Sequence, residues 1–182
     1  MARDGGAATR TLLSARADRS AMPSALTIGG TRFIGRHTVA QLLAHDYEVT
    51  TLTRGESEDP FADEARVSNV RGDRNDRAAL DQAREAADPD VVVDLCAYHP
   101  GQVREATDAF ADCGAYVYVS SGSAYAGDAV PMREGETPLH DCTAEQAVDE
   151  SMETYGPRKA EGDRAVFEAA ADGVRAMAVR PM

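Results

Sequence analysis

The sequence predicts a doubly wound α/β domain built on a parallel sheet, from three observations. Short, mostly apolar runs alternate along the chain with stretches of helical spacing, the pattern of buried parallel strands joined by crossover helices. A glycine-rich turn, Gly29-Gly30-Thr31-Arg32-Phe33-Ile34-Gly35, follows the first apolar run and opens a helix. With 182 residues, 43% apolar content and no apolar run near the roughly 20 residues that span a bilayer, the chain has room for one buried core and no membrane span.

Residues 1–22 hold Arg, Ala, Ser and Gly without an apolar period. A disordered extension is expected there; Asp4 and Asp18 weaken a transit-peptide reading, and initiation at Met22 is the simpler explanation. The domain is expected over residues 23–182. Strands are predicted at 25–28, 48–52, 67–70, 91–95, 116–119 and 174–179, and helices at 33–44, 76–87, 102–112 and 154–171, with spacings such as Ile34, Thr38 and Leu42 marking the helical faces. Pro157 has no amide hydrogen and is tolerated only in a first turn, so the last helix is expected to begin near Thr154 as N-cap, with Tyr155 at its mouth. The stretch 127–153 is expected to be irregular. The chain ends at Arg180-Pro181-Met182, directly after the sixth strand, which predicts an edge position for that strand and a domain whose C-terminal part is missing.

Lys159 is the one lysine; the other eighteen Lys or Arg positions are arginine. It follows Tyr155 by four residues and so shares a helix face with it. An ammonium beside a phenol favours the phenolate, which suits such a pair to acid–base work. In the glycine turn, the backbone can approach a pyrophosphate and the following helix offers free N–H groups; Arg32 stands at the middle position, where a third glycine would complete the loop. Arg54, at the end of the second strand, is placed to meet a ribose 2′-phosphate together with Arg32, which favours NADP(H) and leaves NAD(H) as the alternative. Asp73, after the third strand, is a candidate acceptor for an adenine amino group, with a plain turn as its alternative. The fifth strand runs into Ser120-Ser121-Gly122-Ser123, and strand ends at a sheet crevice are where ligands bind in such folds.

The net charge of −12 disfavours nucleic acid, whose phosphates need clustered basic groups. The acidic surplus, with arginine in place of lysine, fits a high-salt cytoplasm or a GC-rich coding bias equally well. Cys96, Cys113 and Cys142 lack the spacing of a zinc or redox pair, which fits a reducing, cytoplasmic compartment, and His37, His45, His99 and His140 are scattered, so no metal is expected.

Taken together, Gly29 to Gly35, Arg71-Gly72-Asp73-Arg74, Val93-Asp94-Leu95-Cys96-Ala97-Tyr98, Tyr116 to Tyr125, Glu134 to Pro138 and Tyr155 to Glu161 resemble an atypical short-chain dehydrogenase/reductase. The resemblance is to the NAD-dependent epimerase/dehydratase group with a Gly-Gly-x-x-x-x-Gly loop, and it implies a Rossmann fold. It also implies catalytic Ser121, Tyr155 and Lys159, and cofactor contacts from Gly29, Gly30, Thr31, Arg32, Phe33, Ile34, Gly35, Arg54, Asp73, Cys96, Ala97 and Lys159. The expected activity is NAD(P)-dependent oxidoreduction or epimerisation of a hydroxyl or carbonyl on a sugar-like small molecule, with pairing of two copies common in the group. Gly122 and Ser123 stand where sugar-nucleotide dehydratases carry an Asp-Glu pair, which disfavours elimination. Relatives labelled as mRNA-binding proteins make a non-catalytic sensor or RNA-associated protein the alternative, beside an inactive fragment.

Overall fold

The computed structural model describes residues 22–127 and 130–182, so the extension expected over the first 22 residues lies outside the described residues but for Met22. Six strands form one parallel sheet: β1 (Ser24–Ile28), β2 (Glu48–Thr53), β3 (Val67–Arg71), β4 (Val91–Asp94), β5 (Ala115–Val119) and β6 (Ala176–Val179), in the order β3-β2-β1-β4-β5-β6. The helices are α1 (Phe33–Ala44), α2 (Arg77–Ala87), α3 (Pro100–Ala109), α4 (Ala144–Val148) and α5 (Tyr155–Ala171). The order reverses between β1 and β4, the switch point at which the strand ends leave a crevice.

Most expected elements fall within a residue or two of their places, and the exceptions have local causes. α3 begins at Pro100 rather than Gln102, because His99 and Gln102 form a reciprocal capping box and Pro100 occupies the first turn. β6 begins at Ala176 rather than Val174, because the Val174 amide donates to Ala169 O and still belongs to the turn that ends α5. The stretch expected to be irregular contains α4, closed by a Thr143–Gln146 capping box, and an antiparallel bridge between Tyr125 and Leu139.

Side chains alternate across the strands, so each face of the sheet has its own core. Leu26, Ile28, Val92, Tyr116, Tyr118 and Val166 belong to the larger cluster, in which residues of α2, α3 and α5 cover one face. Val39, Leu43 and Val49 make a smaller one under α1. β1 is buried along nearly its whole length, whereas Met177 and Val179 of edge strand β6 are 55% and 46% exposed. Their register neighbours Val117 and Val119 are only half-buried.

Two buried ion pairs tie these layers together. Asp94, at the end of β4, accepts from Arg74 Nη2 at 3.0 Å and from the Tyr116 hydroxyl at 2.8 Å. Asp163, on α5, accepts from Arg180 Nε at 2.6 Å, and Arg180 also donates to the Tyr125 hydroxyl at 3.0 Å. Burial pushes the Asp163 carboxyl upward, an effect that the Arg180 bond opposes. The second network fastens the end of β6 to α5 and to the chain after β5.

Candidate active site

At the end of β1 the chain turns through Gly29 and Gly30, whose φ values are 97° and 126°, a region that side chains disfavour. A Cβ on Gly35 would lie 2.8 Å from Gly30 Cα, so turn and helix pack backbone on backbone there. The start of α1 is left open: Arg32 at the N-cap makes no capping hydrogen bond, and the first turn has no acidic residue. Its leading N–H groups therefore point an uncompensated positive end towards the crevice. Phe33, with φ 43° and 87% exposure, stands beside it. This cradle suits a pyrophosphate.

Cys96 and Ala97, directly after β4, border the same turn: Cys96 Sγ donates to Ile28 O at 3.4 Å, and a Cβ on Gly29 would meet it at 3.7 Å. Burial pushes the Cys96 thiol up to about 12, which makes it a wall and not a nucleophile.

Lys159 lies where three segments meet. It is 3% exposed, and its Nζ donates to Ala97 O at 2.8 Å and to Val119 O at 2.9 Å, bridging the loop after β4 and the end of β5. The ammonium lies 4.7 Å from the Tyr118 ring centre, 5.5 Å from that of Tyr98 and 5.8 Å from that of Tyr155. Burial lowers its pKa from 10.5 to about 8, and the nearby Asp94 and Asp163 charges only partly oppose this.

α5 is seated so that Tyr155 opens it beside this group. A Cβ on Gly156 would come within 2.5 Å of Ser123 O, so only glycine lets the helix rest on the 3-10 turn Gly122–Ala124. Arg158, also buried, donates to Ser151 O at 2.8 Å and to Tyr98 O at 3.4 Å. Thr154 holds the N-cap position as expected, but its hydroxyl donates to Asp149 and to Ser151 O instead of capping.

The structure thus brings Tyr155, Lys159, Ala97 and Cys96 together, with Gly29, Gly30 and Gly35 on the adjoining turn. Ser121 lies beneath α5, but its hydroxyl accepts from Ser123 N at 3.1 Å, and no hydrogen bond joins it to Tyr155 among the described residues. Thr31, Arg32, Phe33 and Ile34 form the rim of the glycine turn. Arg54, expected to meet a 2′-phosphate together with Arg32, pairs with Glu56 at 3.0 Å, the two exposed side chains sharing one loop. Asp73 is exposed and accepts from Asn75 N at 2.9 Å, the turn-forming alternative. Of the histidines, His99 holds the N-cap position of α3 and His140 packs half-buried against Gly156. Tyr98, Tyr118, Arg158 and Asp163 were not singled out by sequence. Asp163 alone carried a signal, since it lies one further turn along from Tyr155 and Lys159.

Residues 25–111 match the model of the NAD dependent epimerase/dehydratase family. Among curated proteins the chain is similar to the chloroplast stem-loop binding protein of 41 kDa b of Arabidopsis thaliana, with 32% identity over 111 residues, covering 55% of this chain and 29% of that protein. Among solved structures it superposes on UDP-glucose 4-epimerase from Brucella ovis in complex with NAD, with a TM-score of 0.69 and 22% identity over 87% of this chain and 51% of that one. It also superposes on an epimerase from Methanothermobacter thermautotrophicus, with a TM-score of 0.71 and 17% identity over 88% of this chain and 51% of that one. The chain therefore spans about half the length of these solved structures. At such identities the structural likeness establishes the fold. The match to the NAD dependent epimerase/dehydratase family model runs over 87 of the 182 residues, from β1 to just past α3, so the chain is similar to that family over this part and shares the fold of these solved structures.

Proposed function

We propose that this chain is a nicotinamide-dinucleotide-dependent oxidoreductase or epimerase that acts on a hydroxyl or carbonyl group of a sugar-like small molecule. The observation that carries the reading is the position of Lys159: a buried ammonium beside Tyr155, anchored to the Ala97 carbonyl in the loop after β4 and to the Val119 carbonyl at the end of β5. The dinucleotide, when bound, supplies hydride exchange at its nicotinamide ring. Gly29, Gly30 and the open start of α1 would hold its pyrophosphate, and Cys96 and Ala97 would line it. Tyr155 would give or take the substrate's hydroxyl proton, Lys159 would favour that transfer electrostatically, and Ser121 would turn its hydroxyl from Ser123 N to the substrate oxygen. The cofactor is read as NAD(H) or NADP(H), with the 2′-phosphate preference resting on Arg54 leaving Glu56.

The test is cofactor binding followed by turnover. The protein should perturb NADH or NADPH fluorescence and then interconvert alcohol and carbonyl substrates; Tyr155→Phe should abolish turnover with cofactor affinity retained, Lys159→Ala should impair both, and Ser121→Ala should reduce turnover mainly. Full activity in Tyr155→Phe would end the mechanism. The stem-loop binding protein's name favours a second reading, RNA association without turnover. The charge of −12 weighs against it, and cofactor binding with no turnover on any carbonyl compound is the result that would favour it.

A further inference from the structure

We propose that Tyr98 is the substrate-facing wall of this site, its ring packing against the carbon face of a hydroxylated ring held beside Tyr155. The inference rests on the reading above and adds a residue and a substrate shape to it. Tyr98 is 51% exposed, a large aromatic side chain open to solvent in a loop whose backbone is fixed on every side. Its amide donates to Gln102 Oε1 at 2.7 Å, its carbonyl accepts from Arg158, and the preceding Ala97 carbonyl accepts from Lys159. The ring is therefore presented from a rigid base rather than from a mobile loop.

Its direction follows from its neighbours. The Tyr98 and Tyr155 ring centres are 6.4 Å apart with the planes tilted by 47°, within the range of aromatic pairs. Cys96, two residues earlier, faces Ile28 O and the glycine turn. One loop thus divides its side chains, Cys96 towards the dinucleotide cradle and Tyr98 towards the proton-transfer tyrosine. An aromatic face with a phenol at its edge matches a ring that has C–H bonds on one face and hydroxyls around its rim. Burial raises the Tyr98 pKa, so the hydroxyl remains a donor at neutral pH.

Calorimetry on the NAD+-saturated protein, with UDP-glucose and UDP as probes, tests this. UDP-glucose should bind more tightly than UDP. Tyr98→Ala should weaken UDP-glucose about fivefold to tenfold and leave UDP and NAD+ affinities within about twofold, while Tyr98→Phe, which keeps the ring, should stay within about threefold of the unmodified protein for UDP-glucose. Equal loss for UDP and UDP-glucose, loss of NAD+ affinity, or no discrimination between the probes by the unmodified protein would overturn the assignment of Tyr98 and leave the cofactor reading standing. Failure of the unmodified protein to bind any nicotinamide dinucleotide would instead overturn the proposed function, and this inference with it. Equal melting temperatures of Tyr98→Phe and the unmodified protein separate a site effect from a folding one.

Discussion

Lys159 Nζ donates to the carbonyl oxygen of Ala97 at 2.8 Å, joining α5 to the loop that follows β4. A single buried ammonium therefore fixes two segments that border the crevice, and its protonation governs how they are held. With the pKa lowered to about 8 by burial, the group is charged at pH 7 and loses its proton across a range that kinetics can reach.

Cofactor affinity and any turnover should accordingly fall as pH rises through about 8, and Lys159→Arg should abolish that limb of the profile. The linkage has a definite sign. Between about 8 and 10.5 the unfolded chain binds the proton more than the folded one does, so stability rises with pH in that window. Denaturant unfolding of the unmodified protein and Lys159→Met at several pH values should show the unmodified protein gaining relative to the variant from pH 8 upward. Parallel curves would remove burial of this charge as the cause.

Cofactor choice should depend on the Arg54–Glu56 pair, joined at 3.0 Å. Glu56→Gln frees Arg54 and should tighten NADPH relative to NADH; Arg54→Asp should weaken NADPH by about 1.5–3 kcal/mol for each charge-assisted hydrogen bond lost, with NADH little affected. Unchanged NADPH to NADH ratios in both variants, measured by calorimetry, would return Arg54 to the solvated surface.

Asp94 is completely buried between Arg74 and Tyr116. Removing one member of such a pair leaves the other charge unpaired, so Asp94→Ala should cost about 3–5 kcal/mol of stability in urea unfolding. Combining it with Arg74→Met should recover part of the loss, because no buried charge is then stranded. A double variant as unstable as the sum of the two single changes would show that the pair is not coupled.

Met177 and Val179 expose apolar surface on the edge strand, beside half-buried Val117 and Val119. The protein should bind an apolar dye or self-associate through this face. Met177→Lys should reduce both and change stability by no more than about 0.5 kcal/mol, as expected of a surface position. Dye binding unaltered by Met177→Lys would locate the exposed surface elsewhere.

What the sequence determined was the fold and the first members of the candidate site. Strand and helix order followed from periodicity, and the glycine turn from its spacing. The Tyr155–Lys159 pair followed from helical geometry, which acts over a few residues and can be read locally. The tertiary structure alone decided the rest, because it depends on which distant carbonyls and charges meet. Lys159 finds Ala97 and Val119 through the parallel stacking of β4 and β5. Tyr98 faces Tyr155 only because Arg158 and Gln102 hold its backbone still while its side chain stays in solvent.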